Sequence, residues 1–100
     1  MNSLKMEEIL MECIQSSTLP SGKIYELDLS YQKFKTIPIK LFEMENLKQL
    51  QLLNLSDNLL VEIDPRIWIL ENITSLNLRY NQLKQIPSEV SKLKSDFIFF

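Results

Sequence analysis

Histidine is absent from this chain, glycine occurs once (Gly22) and cysteine once (Cys13). Each scarcity removes a class of function. Without histidine there is no imidazole to serve as general base, and the commonest metal ligand is missing. A lone cysteine closes no intramolecular disulfide and builds no thiolate cluster. One glycine is too few for the glycine-rich loops that cradle phosphates. An excess of positive charge is missing too: 11 Lys and Arg stand against 13 Asp and Glu, a net charge of −2, which supplies no footprint for nucleic acid. The apolar runs, such as Ile67 to Leu70, fall far short of the ~20 residues that span a bilayer. At the start, Glu7, Glu8 and Glu12 interrupt the apolar stretch that a secretory signal needs. No cofactor, no metal, no nucleic acid and no membrane are expected, and the scarcity of cysteine points to a cytoplasmic or nuclear compartment.

What remains is a chain of 100 residues, 45% apolar and 24% charged, the size and composition of one ordinary globular domain. Its organisation is repetitive. From Ile24, Leu50 and Ile73 the sequence reads IYELDLSYQKFKTIP, LQLLNLSDNLLVEID and ITSLNLRYNQLKQIP. These follow a template LxxLxLxxNxLxxI, extended by apolar positions four and seven residues further on. Repeat one fills the seven positions with Ile24, Leu27, Leu29, Phe34, Ile37, Leu41 and Met44. Repeat two uses Leu50, Leu53, Leu55, Leu60, Ile63, Ile67 and Leu70, and repeat three Ile73, Leu76, Leu78, Leu83, Ile86, Val90 and Leu93. At 45% apolar composition, filling every one by chance has a probability of about 5 × 10⁻⁸ before correction for register.

The LxL centres alternate with period two, so each predicts a short strand with its leucines inward and its neighbours outward. Asn58 and Asn81 carry side-chain amides suited to backbone groups of adjacent turns. Gln32, one methylene longer, stands in their place in repeat one. Pro38 and Pro87 suit the opening of a helical or 3₁₀ turn. Repeat one is three residues longer than repeat two, and Leu41, Met44, Leu47 and Leu50 keep helical spacing through LFEMENLKQL, which predicts an extra turn outside the sheet. Before the repeats, Met6, Ile9, Leu10, Cys13 and Ile14 form one stripe of an amphipathic helix. Residues Ser16 to Gly22 read as the connecting loop.

Over residues 24–93 these motifs resemble the leucine-rich repeat family. The endings Ile37-Pro38 and Ile86-Pro87 resemble most the intracellular class with a period of about 23 residues, found in Ras-associated and Ras-suppressor scaffolds. Asp64-Pro65 and Gln32 depart from that pattern. The resemblance implies an α/β fold, a short solenoid of three parallel-strand repeats with an N-terminal amphipathic cap helix. Residues 1–23 would form the cap and loop, residues 24–49, 50–72 and 73–95 the repeats, and residues 96–100 an aromatic tail. By the period, Asp96 opens a fourth repeat. The tail would either fold back over repeat three or belong to a longer array, with association through that end, since solenoids normally carry polar terminal caps.

Outward side chains should stand in columns on the concave face: Glu26, Leu52 and Ser75; Asp28, Asn54 and Asn77; Ser30, Ser56 and Arg79; Tyr31, Asp57 and Tyr80. Tyrosine and arginine supply large contact areas with polar ends, as interface anchors do. Asp28, Tyr31, Leu52, Asn54, Asp57, Asn77, Arg79 and Tyr80 are the candidate partner-binding residues. The expected function is a non-enzymatic protein-interaction module. The resemblance implies a small GTPase, a phosphatase or a signalling scaffold as partner. The alternatives are the substrate-recognition arm of a larger ligase or kinase, and a fragment without independent function. Other signals are weak. Glu7-Glu8 and Glu43/Glu45 lack a neighbour that would split their pKa values for catalysis. The sequons at Asn54 and Asn72 matter only in a secreted protein. Cys13 lies on the apolar stripe with no histidine to activate it, and Trp68 is either convex-side packing or a second contact.

Overall fold

A computed structural model describes residues 1–86, residue 88, the backbone of 97–99 and the side chain of Ile98. Helix α1 spans Ser3–Ser17. Asn2 caps it, its side chain accepting from the Lys5 N–H at 2.9 Å, which satisfies one of the N–H groups that the first turn leaves over. The stripe does what its spacing demands: Leu10 and Ile14 are buried, and Met6, Ile9 and Cys13 pack against the same core. The helix runs through Ser16 and Ser17, so the connecting loop starts later than the sequence suggested. Thr18 closes α1 by donating its hydroxyl to the Ile14 carbonyl at 2.6 Å. The chain then reverses in a turn where the Gly22 N–H donates to the Leu19 carbonyl at 2.8 Å. Gly22 has φ +85°, a left-handed conformation that glycine adopts at no steric cost.

Strands β1 (Glu26–Asp28), β2 (Leu52–Asn54), β3 (Ser75–Asn77) and β4 (Phe97–Phe99) form one parallel sheet in chain order. Register pairs Leu27 with Leu53, Leu53 with Leu76, and Leu76 with Ile98. The fourth strand goes beyond the three that the repeats imply, and it sets Ile98 22 positions after Leu76. Pro87, Val90, Leu93 and Asp96, each singled out above, lie outside the described residues, as does Phe100 of the aromatic tail.

The connections outside the sheet are 3₁₀ turns, at Ile39–Phe42, Glu45–Leu47 and Pro65–Ile69. Pro38 precedes the first and Pro65 opens the third, where a missing N–H breaks no intrahelical bond. The three additional residues of repeat one form the separate turn Glu45–Leu47, and the strand register passes it undisturbed. Within that insertion Leu47 is fully buried and Met44 only half-buried. Leu47 precedes Leu50 by the spacing that separates Leu70 from Ile73, so it takes the core position and Met44 is displaced towards the surface.

Leu27, Leu53 and Leu76 and the next inward row, Leu29, Leu55 and Leu78, stack one coil on another with almost no exposure. Asn58 binds the coils together. Its amide donates to the carbonyls of Leu29, Leu55 and Ser56 at 2.9, 3.0 and 3.2 Å. Its oxygen accepts from the N–H groups of Gln32 and Phe34 at 3.0 and 3.1 Å. Asn81 repeats the arrangement one coil later, with the carbonyls of Leu55, Leu78 and Arg79 and the Leu60 N–H. These bonds satisfy backbone groups that parallel pairing leaves open where the strands end. The Gln32 side chain, in the equivalent place of repeat one, bonds within its own coil, its amide donating to the Ser30 carbonyl at 3.1 Å.

Candidate functional site

Parallel pairing places the outward residues in the expected columns: Glu26, Leu52 and Ser75 in one, Asp28, Asn54 and Asn77 in the next. The second column has a local task. Asp28, Asn54 and Asn77 each accept the N–H of the residue two positions on, from Ser30, Ser56 and Arg79, at 2.9, 3.0 and 3.1 Å. One side-chain oxygen per coil thus fixes the strand end, the usual habit of Asp and Asn at turns. Ser56 departs from the open column expected of it, being only 6% exposed, with its carbonyl used by Asn58 and Tyr31. Ser30 is half-buried and Arg79 exposed.

Tyr31 and Tyr80 are 75% and 76% exposed, and Asp57 between them is half-buried. All three have left-handed backbones, with φ of 58°, 57° and 60°. The chain turns out of each strand at this point so that the next side chain can enter the core, and the same conformation recurs in all three repeats. The parallel ladder continues past the strands. The Tyr31 N–H donates to the Ser56 carbonyl at 3.3 Å and the Asp57 N–H to the Arg79 carbonyl at 3.0 Å. Leu52 is half-buried and floors a cleft of about 290 Å³ with Ser17, Glu26, Asp28 and Asn54 along its walls. The candidate residues therefore share one face, with carboxylates at the β1 end and Arg79 at the β3 end.

Two further exposed features stand out, of which the sequence reading missed the first and left the second open. Leu59 and Val61 are exposed where repeats one and three carry Lys33 and Lys35, and Gln82 and Lys84. The LxxLxLxxNxLxxI template ignores these positions, although reading its variable sites across repeats would have shown the contrast. Outside the sheet, Trp68 is 46% exposed between buried Ile67 and half-buried Ile69, so it is not a core residue. Nearby, Arg66 lies 5.3 Å from the centroid of the Phe42 ring, within cation–π reach. Its guanidinium donates to both oxygens of Asp64, at 3.1 and 2.7 Å. That hydrogen bonding holds the Asp64 carboxyl below its ordinary value.

Nothing in the site resembles an active centre. Burial, and then the neighbouring Asp28 and Glu12, push the Cys13 thiol up, which keeps it protonated and weakly nucleophilic. Among the described residues no group of three acidic, cysteine or histidine side chains could hold a metal ion. No helix among them is long and apolar enough to cross a membrane.

The family model for leucine rich repeats matches residues 22–83. Adenylate cyclase of Schizosaccharomyces pombe is 41% identical over 70 residues, 69% of this chain and 4% of the cyclase. The volume-regulated anion channel subunit LRRC8D of Rattus norvegicus is 30% identical over 91 residues, 91% of this chain and 10% of the subunit. The chain thus spans no more than a tenth of the length of these relatives. Coil-on-coil leucine rows, an asparagine bridging successive turns and a parallel sheet along one side agree with the matched model: this chain belongs to the leucine-rich repeat family, whose fold is a non-enzymatic platform for protein interaction.

Proposed function

We propose that this chain is a protein-interaction module that seats a partner on the outward columns of its sheet, through Asp28, Tyr31, Leu52, Asn54, Asp57, Asn77, Arg79 and Tyr80. The observation that carries this is the coincidence of exposure and register: two tyrosines three-quarters exposed stand just beyond the paired strands, where Tyr31 and Asp57 continue the backbone ladder. A side chain that contributes little to the core projects from a backbone tied to the neighbouring strand by hydrogen bonds. Such a surface loses little ordering entropy when a partner arrives, and so keeps more of its contact energy as affinity. The partner class is a small GTPase, a phosphatase or a signalling scaffold, in a cytoplasmic setting. Support for that class is the likeness of the Ile-Pro endings to the Ras-associated repeats.

A second reading follows from the cyclase match: the repeats form the recognition arm of a larger enzyme. The two readings share the binding face and differ in what it is tethered to.

The test is a selection of random peptides displayed against the immobilised protein, followed by substitution of both faces. Loss of the selected peptides on Tyr80→Ala or Arg79→Ala, with retention on Ile39→Ser and Trp68→Ala, supports the sheet face. The reverse pattern overturns it.

A further inference from the structure

Building on that reading, we infer that the column Tyr31, Asp57 and Tyr80 is a seat for one cationic side chain, lysine or arginine, on the protein partner. The ladder bonds at Tyr31 and Asp57 keep these positions at the strand spacing of about 4.8 Å. The two tyrosines are then ~10 Å apart at the backbone with the carboxylate midway. A cation resting on Asp57 would sit between two strands that each carry a tyrosine one spacing away, and rings turned towards it would come within the ~6 Å over which an aromatic face attracts a cation. The column thus offers one carboxylate for an ion pair with an aromatic ring on either side. Exposed tyrosines turn about χ1 in nanoseconds, so both rings are able to close over the guest.

Backbone strain argues the same way. Each coil needs a left-handed residue here, and Asp57 meets the need with a side chain that tolerates it. A tyrosine in that conformation is costly, and Tyr31 and Tyr80 accept it at φ 58° and 60° while leaving most of their surface in water. Burial in the core does not account for an aromatic ring at either position. The left-handed turn belongs to the fold, whereas the choice of tyrosine at two of its three positions is what binding would explain.

Charge selects the occupant. The outward columns hold carboxylates at Glu26, Asp28 and Asp57 against a single cation, Arg79. Lys33, Lys35 and Lys84 stand further along the edge. They flank exposed Leu59 and Val61 of the middle coil, whereas the one carboxylate of the tyrosine column, Asp57, stands between two aromatic residues. An acidic partner segment on the lysines is the competing occupant.

The peptide selection decides between them. Enriched peptides should carry a lysine or arginine whose replacement by norleucine or citrulline weakens binding tenfold or more. Asp57→Asn, which keeps a residue suited to the left-handed turn, should weaken the parent peptide about as much and leave the uncharged peptide unchanged. Acidic peptides that are lost on Lys33→Ala or Lys84→Ala would overturn the seat. So would peptides that depend on Leu52 or Arg79 yet ignore Asp57→Asn, although the sheet face would then survive as the platform. Peptides indifferent to every outward substitution would remove the platform itself. Should nothing enrich, titration with N-acetyl-arginine methylamide gives the answer by NMR. Saturable shifts at the rings of Tyr31 and Tyr80 that vanish in Asp57→Asn sustain the seat, and their absence overturns it.

Discussion

The two ends of the solenoid are finished differently. At the first coil, α1 lays Leu10 and Ile14 over the apolar cross-section, and Ile24, Phe34 and Ile37 are buried beneath or beside it. At the third, Leu83 is half-buried and Ile86 is 37% exposed, against 3% for its counterparts Ile37 and Ile63. Ile86 thus departs from its expected core position, although β4 extends the sheet beside β3 and Ile98 packs against the core. Leu78, Leu83 and Ile86, with Tyr80 and Lys84, instead line a groove of about 270 Å³. A coil buries its neighbours on two sides only when it has two neighbours, so the value of an apolar residue in this fold depends on its rank in the stack.

That comparison sets a graded series of outcomes. The largest effect is expected at the sealed end: Leu10→Ala should cost about 2–5 kcal/mol in chemical denaturation, because the cavity lies under a helix that cannot collapse onto it. Asn58→Ala should come next, at roughly 2–4 kcal/mol, since it strands buried carbonyl and N–H groups of two coils at once. Leu83→Ala should cost only about 1–2 kcal/mol, having less buried area to lose. A loss at Leu83 equal to that at Leu10 would break the contrast between the ends. Tyr80→Ala should fall within about 0.5 kcal/mol while removing peptide binding. The smallest effect is electrostatic. The Asp64 carboxyl is lowered by Arg66, so its contribution is present above the ordinary carboxylate range and fades as pH falls through the lowered value. Thermal melts of the parent and Asp64→Asn should therefore converge in strong acid and separate slightly at neutral pH.

Much of this was legible in the sequence because leucine spacing and strand register express one constraint. A side chain that points inward in one coil must do so in the next, and Leu27, Leu53 and Leu76 obey this in the structure. The helix stripe was equally readable, since Leu10 and Ile14 sit on one face by spacing alone. Other features were not, for identifiable reasons. Ser56 shares its column with exposed Arg79, and only the Asn58 network shows that it is covered. Leu47 displaced Met44 because an insertion can be counted from either end, and the strand that follows decides which count holds. The fourth strand was hidden by a change of period to 22 between Leu76 and Ile98. The left-handed turns at Tyr31, Asp57 and Tyr80 are invisible to hydrophobic pattern, because their residue types give no common signal.

The turn at Glu45–Leu47 lengthens the outer arc of one coil and leaves the inner arc untouched. Hydrogen bonds fix the spacing along the sheet, whereas nothing comparable limits how much chain the opposite side may hold. Insertions and deletions are thus absorbed on the back of the molecule, while the positions that would read a partner keep their pitch. A lineage of such proteins is free to drift in length without losing its alphabet of contacts, and an engineer could graft a loop or a tag at Glu45 with the same immunity.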